Sequence, residues 1–587
     1  MRLENFPLPG SGRLSNLVML RAGCTILAML VASSIPSGPL AGAELPANHV
    51  KTASAAPPDT STTSFTYGSF LAMKGDYWGA IDRFRKLKPP FQQDAAAVQY
   101  SISKAFSSLG VPDSARVHGE AAFRLDPGNQ YYARHLARIA HEMQDYDRAA
   151  ALYGQAVVDA PTRTDLLTAQ ALEYIAANKP TESLEVYEKV LKLDPYDEKA
   201  LSQSLSLQIA LKRYPEAIVT LKQLIGLIGS SPRLQLAMGE LFDLAGQDDR
   251  AIETFRGIIA TDRKSPTVWA ALLDHYIRSG NRDQMISEFR AYDHLAPADP
   301  GPAIVMANHF ALLADRDTTY VRPVGMMLDD LGAHHPRDSR VYVLRGTFEM
   351  ARKRIAEAIA NFNRAVQLAP GKIVAWEGLV MAYLERRDKA MVFRTISRAR
   401  QAMPRQSYHL NILEGYALLH TGSPARSARL LESVIASKKG APDNELLVQA
   451  NTSLAMAYEE LGRKTLSGEA YSRVLELDPH NALAMNNLAY LYSEEGVMLR
   501  KALRLSLNAV LLDPENGVFL DTLGWVYYRL GNYSVSREVL EKAVATGIEE
   551  SEVFGHLGAV YEKLGETDKA REMFDRAKAM KGKKAGK

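Results

Sequence analysis

FGHLGAVYEKLGETDKAREMF, residues 554–574, is the stretch from which the architecture is read. Phe554, Leu557, Gly558 and Tyr561 stand at i, i+3, i+4 and i+7, one stripe of a helix, and Ala570, Phe574 and Ala577 form a second stripe. Two short helices therefore face each other. Gly565 closes the first of them, because a residue without a Cβ tolerates the left-handed conformation a helix end often needs. Gly558 and Ala570 are small enough to let the pair approach closely. Two helices of this length cannot bury their own apolar stripes, so the pair has to stack on copies of itself.

The copies run through the chain. Aligning on the small residue that opens the second helix gives Ala80, Ala115, Ala149, Ser183, Ala217, Ala251, Met285, Val324, Ala358, Val392, Ser427, Ser467, Ala502, Ser536 and Ala570. Successive anchors are 34 or 35 residues apart, except for a step of 39 before Val324 and one of 40 before Ser467. Twelve residues after the anchor a proline recurs, at Pro127, Pro161, Pro195, Pro297, Pro336, Pro370, Pro404, Pro479 and Pro514. Proline lacks the amide hydrogen and clashes with the preceding turn, so it ends the second helix and starts the next repeat.

This period, with its aromatic-x2-Leu-Gly-x2-Tyr and Ala-x3-Phe spacing, resembles the tetratricopeptide repeat. The resemblance covers roughly residues 64–578 and implies an all-α, right-handed superhelical solenoid of about fifteen helix-turn-helix repeats. The two long steps divide the array into three blocks, 64–297, 298–435 and 436–578. In the second block the first repeat is irregular, with Pro300, Pro302, Pro323 and a five-residue excess that should lengthen its inter-helix turn. Ser437 to Asp443 hold the second excess. Residues 579–587 are expected to form a basic, solvated tail.

Residues 1–43 have the pattern of a secretory signal: Arg13 and Arg21, the apolar run Cys24 to Ile35, then Ala41-Gly42-Ala43 as a small-x-small cleavage site. Retention as an uncleaved anchor is the alternative, with Arg21 interrupting the longer apolar run. Leu20-Arg21-Ala22-Gly23 before Cys24 looks like a lipoprotein box, but its apolar run follows the cysteine. Residues 44–63, rich in Ala, Pro, Ser and Thr, should be a flexible leader. Cleavage after Ala43 would remove the single cysteine. The protein is therefore expected to be exported, periplasmic or associated with the outer membrane. The formal charge is +3, and the signal segment, with Arg2, Arg13, Arg21 and Glu4, accounts for +2, leaving 3 − 2 = +1. Such a balance gives no reason to expect nucleic acid as a partner.

Chemistry-bearing motifs are missing: there is no phosphate loop, His-Glu-x-x-His, Gly-x-Ser-x-Gly or dinucleotide fingerprint. The expectation is a non-enzymatic scaffold of the bacterial cell envelope, without cofactor or metal, whose partners are other proteins or peptides. A regulatory or targeting subunit of a separate envelope enzyme, or of a polysaccharide-export or secretion machine, is the alternative. Asn486-Asn487-Leu488-Ala489 and the run Leu520 to Gly531 resemble the closing repeats of exported bacterial tetratricopeptide proteins. That family lines its groove with first helices. If Leu520, Leu523, Gly524 and Tyr527 face the partner helix, the adjacent stripe offers Asp521, Trp525 and Tyr528, with Asn486 and Tyr490 one repeat earlier and Arg529 alongside. These could clamp a peptide, or Trp525 and Tyr490 could pack between neighbouring first helices. A carboxylate clamp is not supported, since Asn486, Tyr490, Asp521, Trp525, Gly555 and Ala559 include no lysine. A secondary, basic groove is expected at Tyr100, Lys104, Arg134, Arg138 and His141. His334-His335, in a long turn before a proline, reads as a polar loop rather than a metal pair.

Overall fold

The computed structural model describes residues 61–87, 95–158, 160–437 and 444–585. The expected signal segment, Cys24 and most of the expected leader lie outside these residues, as do residues 438–443 of the second excess. Among the described residues there are 30 α-helices, two short 3₁₀ turns and no strand. They form two compact units, one ending at Glu288 and the other beginning at Phe289. Each unit is a stack of helix pairs in which a helix packs mainly on its sequence neighbours, and successive first helices also touch one another.

The anchors explain the period physically. Each is the fourth residue of its helix, from Ala80 in Tyr77–Arg85 to Ala570 in Thr567–Ala585. All are buried, whether alanine, serine, valine or methionine. Where serine stands there, its hydroxyl donates to the carbonyl twelve residues back in the facing helix: Ser183 to Ala171 at 2.8 Å, Ser427 to Gly415 at 2.7 Å and Ser536 to Gly524 at 2.7 Å. A buried hydroxyl is thereby satisfied, which makes serine as acceptable as alanine at this position. Ser467 is the exception, its buried oxygen finding no partner.

The glycine twelve residues before an anchor is equally explicable. A Cβ on Gly558 would stand 2.7 Å from the Phe574 ring, and one on Gly524 would stand 2.5 Å from Leu540. The side chain at anchor plus four lies flat on the facing backbone, so any larger residue would overpack it. Phe362 is held from two sides, by Gly346 and by Gly378.

In thirteen of the fifteen repeats the chain passes, between first and second helices, through a left-handed residue five positions before the anchor, the exceptions being those anchored at Val324 and Ala502. Gly565, at φ +79°, is the last of these. In five repeats the residue is not glycine: Gln144, Asn178, Lys212, Lys353 and Arg387 all have φ between 57° and 62°. The prolines stand where expected, with helices stopping at Leu125 before Pro127, Leu193 before Pro195 and Leu477 before Pro479. Others the pattern did not single out, among them Pro112, Pro180 and Pro424, open second helices, where a missing amide hydrogen costs nothing.

Three expectations need adjustment. The first helix begins at Ser61, so Ser61, Thr62 and Thr63 belong to it rather than to a leader. The last helix runs on to Ala585, so most of the expected tail is helical. In the irregular repeat the inter-helix link is lengthened as expected, running from Ala314 to Val321 through a 3₁₀ turn, Thr318–Tyr320, with Pro323 buried inside the following helix Val321–His334. His334 is the last residue of that helix and His335 its cap, rather than members of a long turn. They serve different carboxylates: His335 Nε2 donates to Asp293 at 2.8 Å, and His334 lies 3.4 Å from Asp330.

Candidate functional site

Of the residues expected to form the groove in the last repeats, Tyr490, Asp521, Trp525, Tyr528 and Arg529 come together, while Asn486 bonds only its chain neighbour. They stand on three successive first helices, Ala482–Glu495, Gly517–Arg529 and Ser551–Lys563. Trp525 is the hub. Its ring stacks on Tyr528 with centroids 4.6 Å apart and planes 6° from parallel, and on His556 at 4.1 Å and 15°. Its indole nitrogen donates to Glu494 Oε1 at 2.8 Å. Arg529 reaches the backbone carbonyl of Glu494 at 3.2 Å. Tyr490 gives its hydroxyl proton to Glu552, and its ring lies 6.4 Å from that of His556. Asn486 is buried; its amide donates to Asn487 at 3.2 Å, while its own carbonyl oxygen has no partner.

Beneath the rings lies a buried ion pair. His556 Nδ1 donates to both oxygens of Asp521, at 2.9 and 3.1 Å. Burial alone would push the imidazole down, but the Asp521 carboxylate holds it above the ordinary histidine value. Burial likewise raises the Asp521 carboxyl, with His556 opposing the shift. Burial pushes the Tyr490 hydroxyl well up, and the Glu552 carboxylate beside it adds to the effect. Glu494 and Glu552 remain exposed at the rim.

These bonds give Trp525 the task of tying neighbouring first helices together, while Tyr490 bridges two first helices that have a third between them. His556, Glu494 and Glu552 are members that the stripe reading missed. Stepping one period on from Asp521 arrives at Gly555, whereas the carboxylate reaches diagonally to His556, 35 residues away. Similar cross-repeat pairs occur at a spacing of 32 in His141–Glu173, His275–Asp243 and His409–Glu377. A histidine and a carboxylate separated by one period plus or minus one or two residues was the available signal.

The secondary set is also assembled, on Ala95–Ser108 and Gln130–Glu142. Tyr100 lies 4.9 Å from Tyr132 and 5.1 Å from His135, with the Lys104 ammonium 5.6 Å from the Tyr100 ring. Arg134 and Arg138 are exposed on the same face. His141 sits apart from this group, on Glu173 at 2.9 Å. His135, which the stripe omitted, is the buried centre. Ser103 donates its only proton to the Ala115 carbonyl at 2.6 Å, so His135 Nε2 must donate to the Ser103 oxygen, at 2.9 Å. Burial, then Arg138 and Lys104, lower His135 to about 4.

One group has the donors of a cation site: ligand atoms of Asp243, Asp248 and His275 lie within 4.8 Å of one another. Asp243, however, already accepts from His275 at 2.7 Å and from the Arg278 guanidinium. Two donors, one of them a fixed cation, already compensate that carboxylate and recommend it poorly as a ligand.

Profile models of the tetratricopeptide repeat match residues 164–197, 448–481 and 522–585, each span containing an anchor in phase, Ser183, Ser467 or Ser536 and Ala570. The chain is a tetratricopeptide-repeat protein. A TPR repeat-containing protein of Pseudomonas aeruginosa is 25% identical over 162 residues, 28% of this chain. The match spans 26%, about a quarter, of that relative's length. Among solved structures, Naa15/Naa10 bound to HypK-THB is 12% identical, with 89% of this chain and 94% of that one covered and a TM-score of 0.40. The APC/C hetero-tetramer Cut9-Hcn1 is 13% identical over 85% and 96%, with a TM-score of 0.36. A tetratricopeptide repeat protein of Parabacteroides merdae is 18% identical over 49% and 99%, with a TM-score of 0.26. Among the described residues of this repeat protein, no helix is long and apolar enough to cross a membrane.

Proposed function

We propose that this repeat protein is a non-enzymatic interaction scaffold of a bacterial cell envelope, holding a segment of a partner protein against the first helices of its last repeats. Tetratricopeptide arrays support protein–protein interaction in general; the envelope and the particular face are our reading. The observation that carries it is the half-buried rings of Tyr528 and Trp525 stacked on the buried His556, with Tyr490 beside them, edged by the exposed carboxylates of Glu494 and Glu552. A surface locked in advance by its own hydrogen bonds loses little conformational freedom on binding, and aromatic side chains concentrate interface energy. The acidic rim suits a segment carrying lysine or arginine.

The test is capture from solubilised envelope fractions on the immobilised protein. A partner retained by the natural protein and lost on Tyr528→Ala, with helical content unchanged, supports the reading; equal retention by both overturns it. Export is checked by sequencing the N-terminus of the mature protein. A start at or near Glu44 is expected, and an intact Met1 in the cytosol overturns it. Turnover of a substrate by the purified chain alone would overturn the non-enzymatic assignment.

A further inference from the structure

The charge of the chain is unevenly placed. Residues 386–437 carry nine arginines and lysines against three carboxylates, a net +6 in a chain totalling +3, so all the rest sums to 3 − 6 = −3. Eight of the nine cations are arginine. Every one of the three carboxylates is already engaged: Asp388 by Arg386 at 2.6 Å, Glu414 by Arg400, and Glu432 by the hydroxyl of Tyr458 at 2.6 Å. Arg387, Arg394, Arg398, Arg405, Arg426 and Arg429 are exposed, and among the described residues none of them is in a direct ion pair with a carboxylate. Arg398 lies over the Trp376 ring at 5.4 Å, and Arg394 approaches the Met391 sulfur at 4.0 Å, acting on Asp388, already engaged by Arg386, only as a more distant charge. Elsewhere arginines commonly find an acid, as in Arg256–Glu288, Arg290–Asp330 and Arg345–Asp329.

We infer that the second helices Lys389–Ala402 and Pro424–Ala436 present a docking surface for an acidic segment of a partner protein, separate from the first-helix groove. Guanidinium forks match carboxylates in geometry and are more weakly hydrated than ammonium groups. Two other polyanions fit less well. Single-stranded nucleic acid is held by basic grooves with aromatic stacking platforms, and here the neighbouring Trp376 ring is buried. An anionic membrane surface is held by apolar side chains interleaved with the cations, and no large apolar residue is exposed between Leu312 and Leu466 among the described residues. A polar, carboxylate-rich peptide needs neither.

The probe is a fluorescein-labelled poly-glutamate peptide, followed by fluorescence anisotropy on the full chain. Saturable binding that weakens as salt is added is expected. Replacing Arg394, Arg398, Arg426 and Arg429 together with alanine should weaken it about tenfold, the sum of several exposed ion pairs. Arg134→Ala with Arg138→Ala in the basic first-helix set, and Tyr528→Ala in the groove, should leave it unchanged, so failure here and failure of the groove are told apart. Should the quadruple variant lose helical signal, Arg429→Ala alone must still weaken binding measurably. Unchanged affinity in these arginine variants overturns the inference, as does tighter binding of single-stranded oligothymidylate or of phosphatidylglycerol vesicles than of the peptide.

Discussion

The first-helix faces around His135 and around His556 occupy equivalent places in two copies of one repeat, and each centres on a buried histidine under aromatic rings. Around His135 the neighbours are Lys104 and Arg138, and the imidazole is pushed down to about 4. Around His556 the neighbours are Asp521, Glu552 and Glu494, and the imidazole is held above its ordinary value. The same scaffold position thus lowers a histidine's affinity for its second proton in one place and raises it in the other. The backbone repeat supplies the geometry, and the side chains at the following turn set the sign of the field.

The largest expected effect comes from breaking the charged version. Asp521→Ala leaves His556 buried without its carboxylate and should cost about 3 kcal/mol, as deletion of one member of a buried pair does. Chemical denaturation followed by circular dichroism measures it, and a loss within error of zero would mean that the pair is not buried in solution.

Changing pH separates the two histidines without mutation. For His135 the folded value lies below the unfolded one, near 6.5, so the folded state resists protonation. Stability is complete above pH 6.5 and falls as pH drops from 6.5 towards 4, by roughly 3 kcal/mol at the end of that window. For His556 the folded value is raised, so its contribution is complete below pH 6.5 and is lost as pH climbs through the folded value above that. Amide exchange should therefore quicken in Gln130–Glu142 on acidification and in Ser551–Lys563 on moderate alkalinisation. The same response in both helices would erase the contrast.

Trp525→Ala removes a half-buried ring with both faces covered and should cost about 2 kcal/mol, below the range for a fully buried tryptophan. Thermal melting would register it; an unchanged melting temperature would return Trp525 to the role of a pure binding anchor. The smallest effect sharpens the basic side. Arg138→Gln should raise the His135 titration point while leaving it below the ordinary histidine value, since burial is the larger cause. Carbon–proton NMR of the ring reads this directly.

The helix pairs were legible because a period is a local property repeated many times: the anchors are all buried and all fourth in their helices. The first-helix stripe was legible for the same reason, and Tyr490, Asp521, Trp525, Tyr528 and Arg529 do assemble, whereas Asn486 bonds only Asn487. His556 and His135 escaped because contacts between repeats run diagonally, a geometry that the period does not encode. The six exposed arginines of 386–437 that lack an ion pair escaped for a different reason. Composition over the whole chain averages them away, and only the pairing of each carboxylate shows that they are left over.

The left-handed turn residues carry a consequence for how the chain acquires its structure. A non-glycine side chain there costs on the order of 1 kcal/mol, which local sequence does not recover. Gln144, Asn178 and Lys212 occupy three consecutive turns, whereas Gly422, Gly462, Gly531 and Gly565 serve repeats towards the other end. In an array whose pairs form one at a time and then recruit their neighbours, the glycine-turned pairs nucleate at lower cost. Order should therefore start among glycine-turned repeats, such as those that include Gly110, Gly531 and Gly565, and spread outward, with the pairs turning at Gln144, Asn178 and Lys212 forming only against a neighbour already in place.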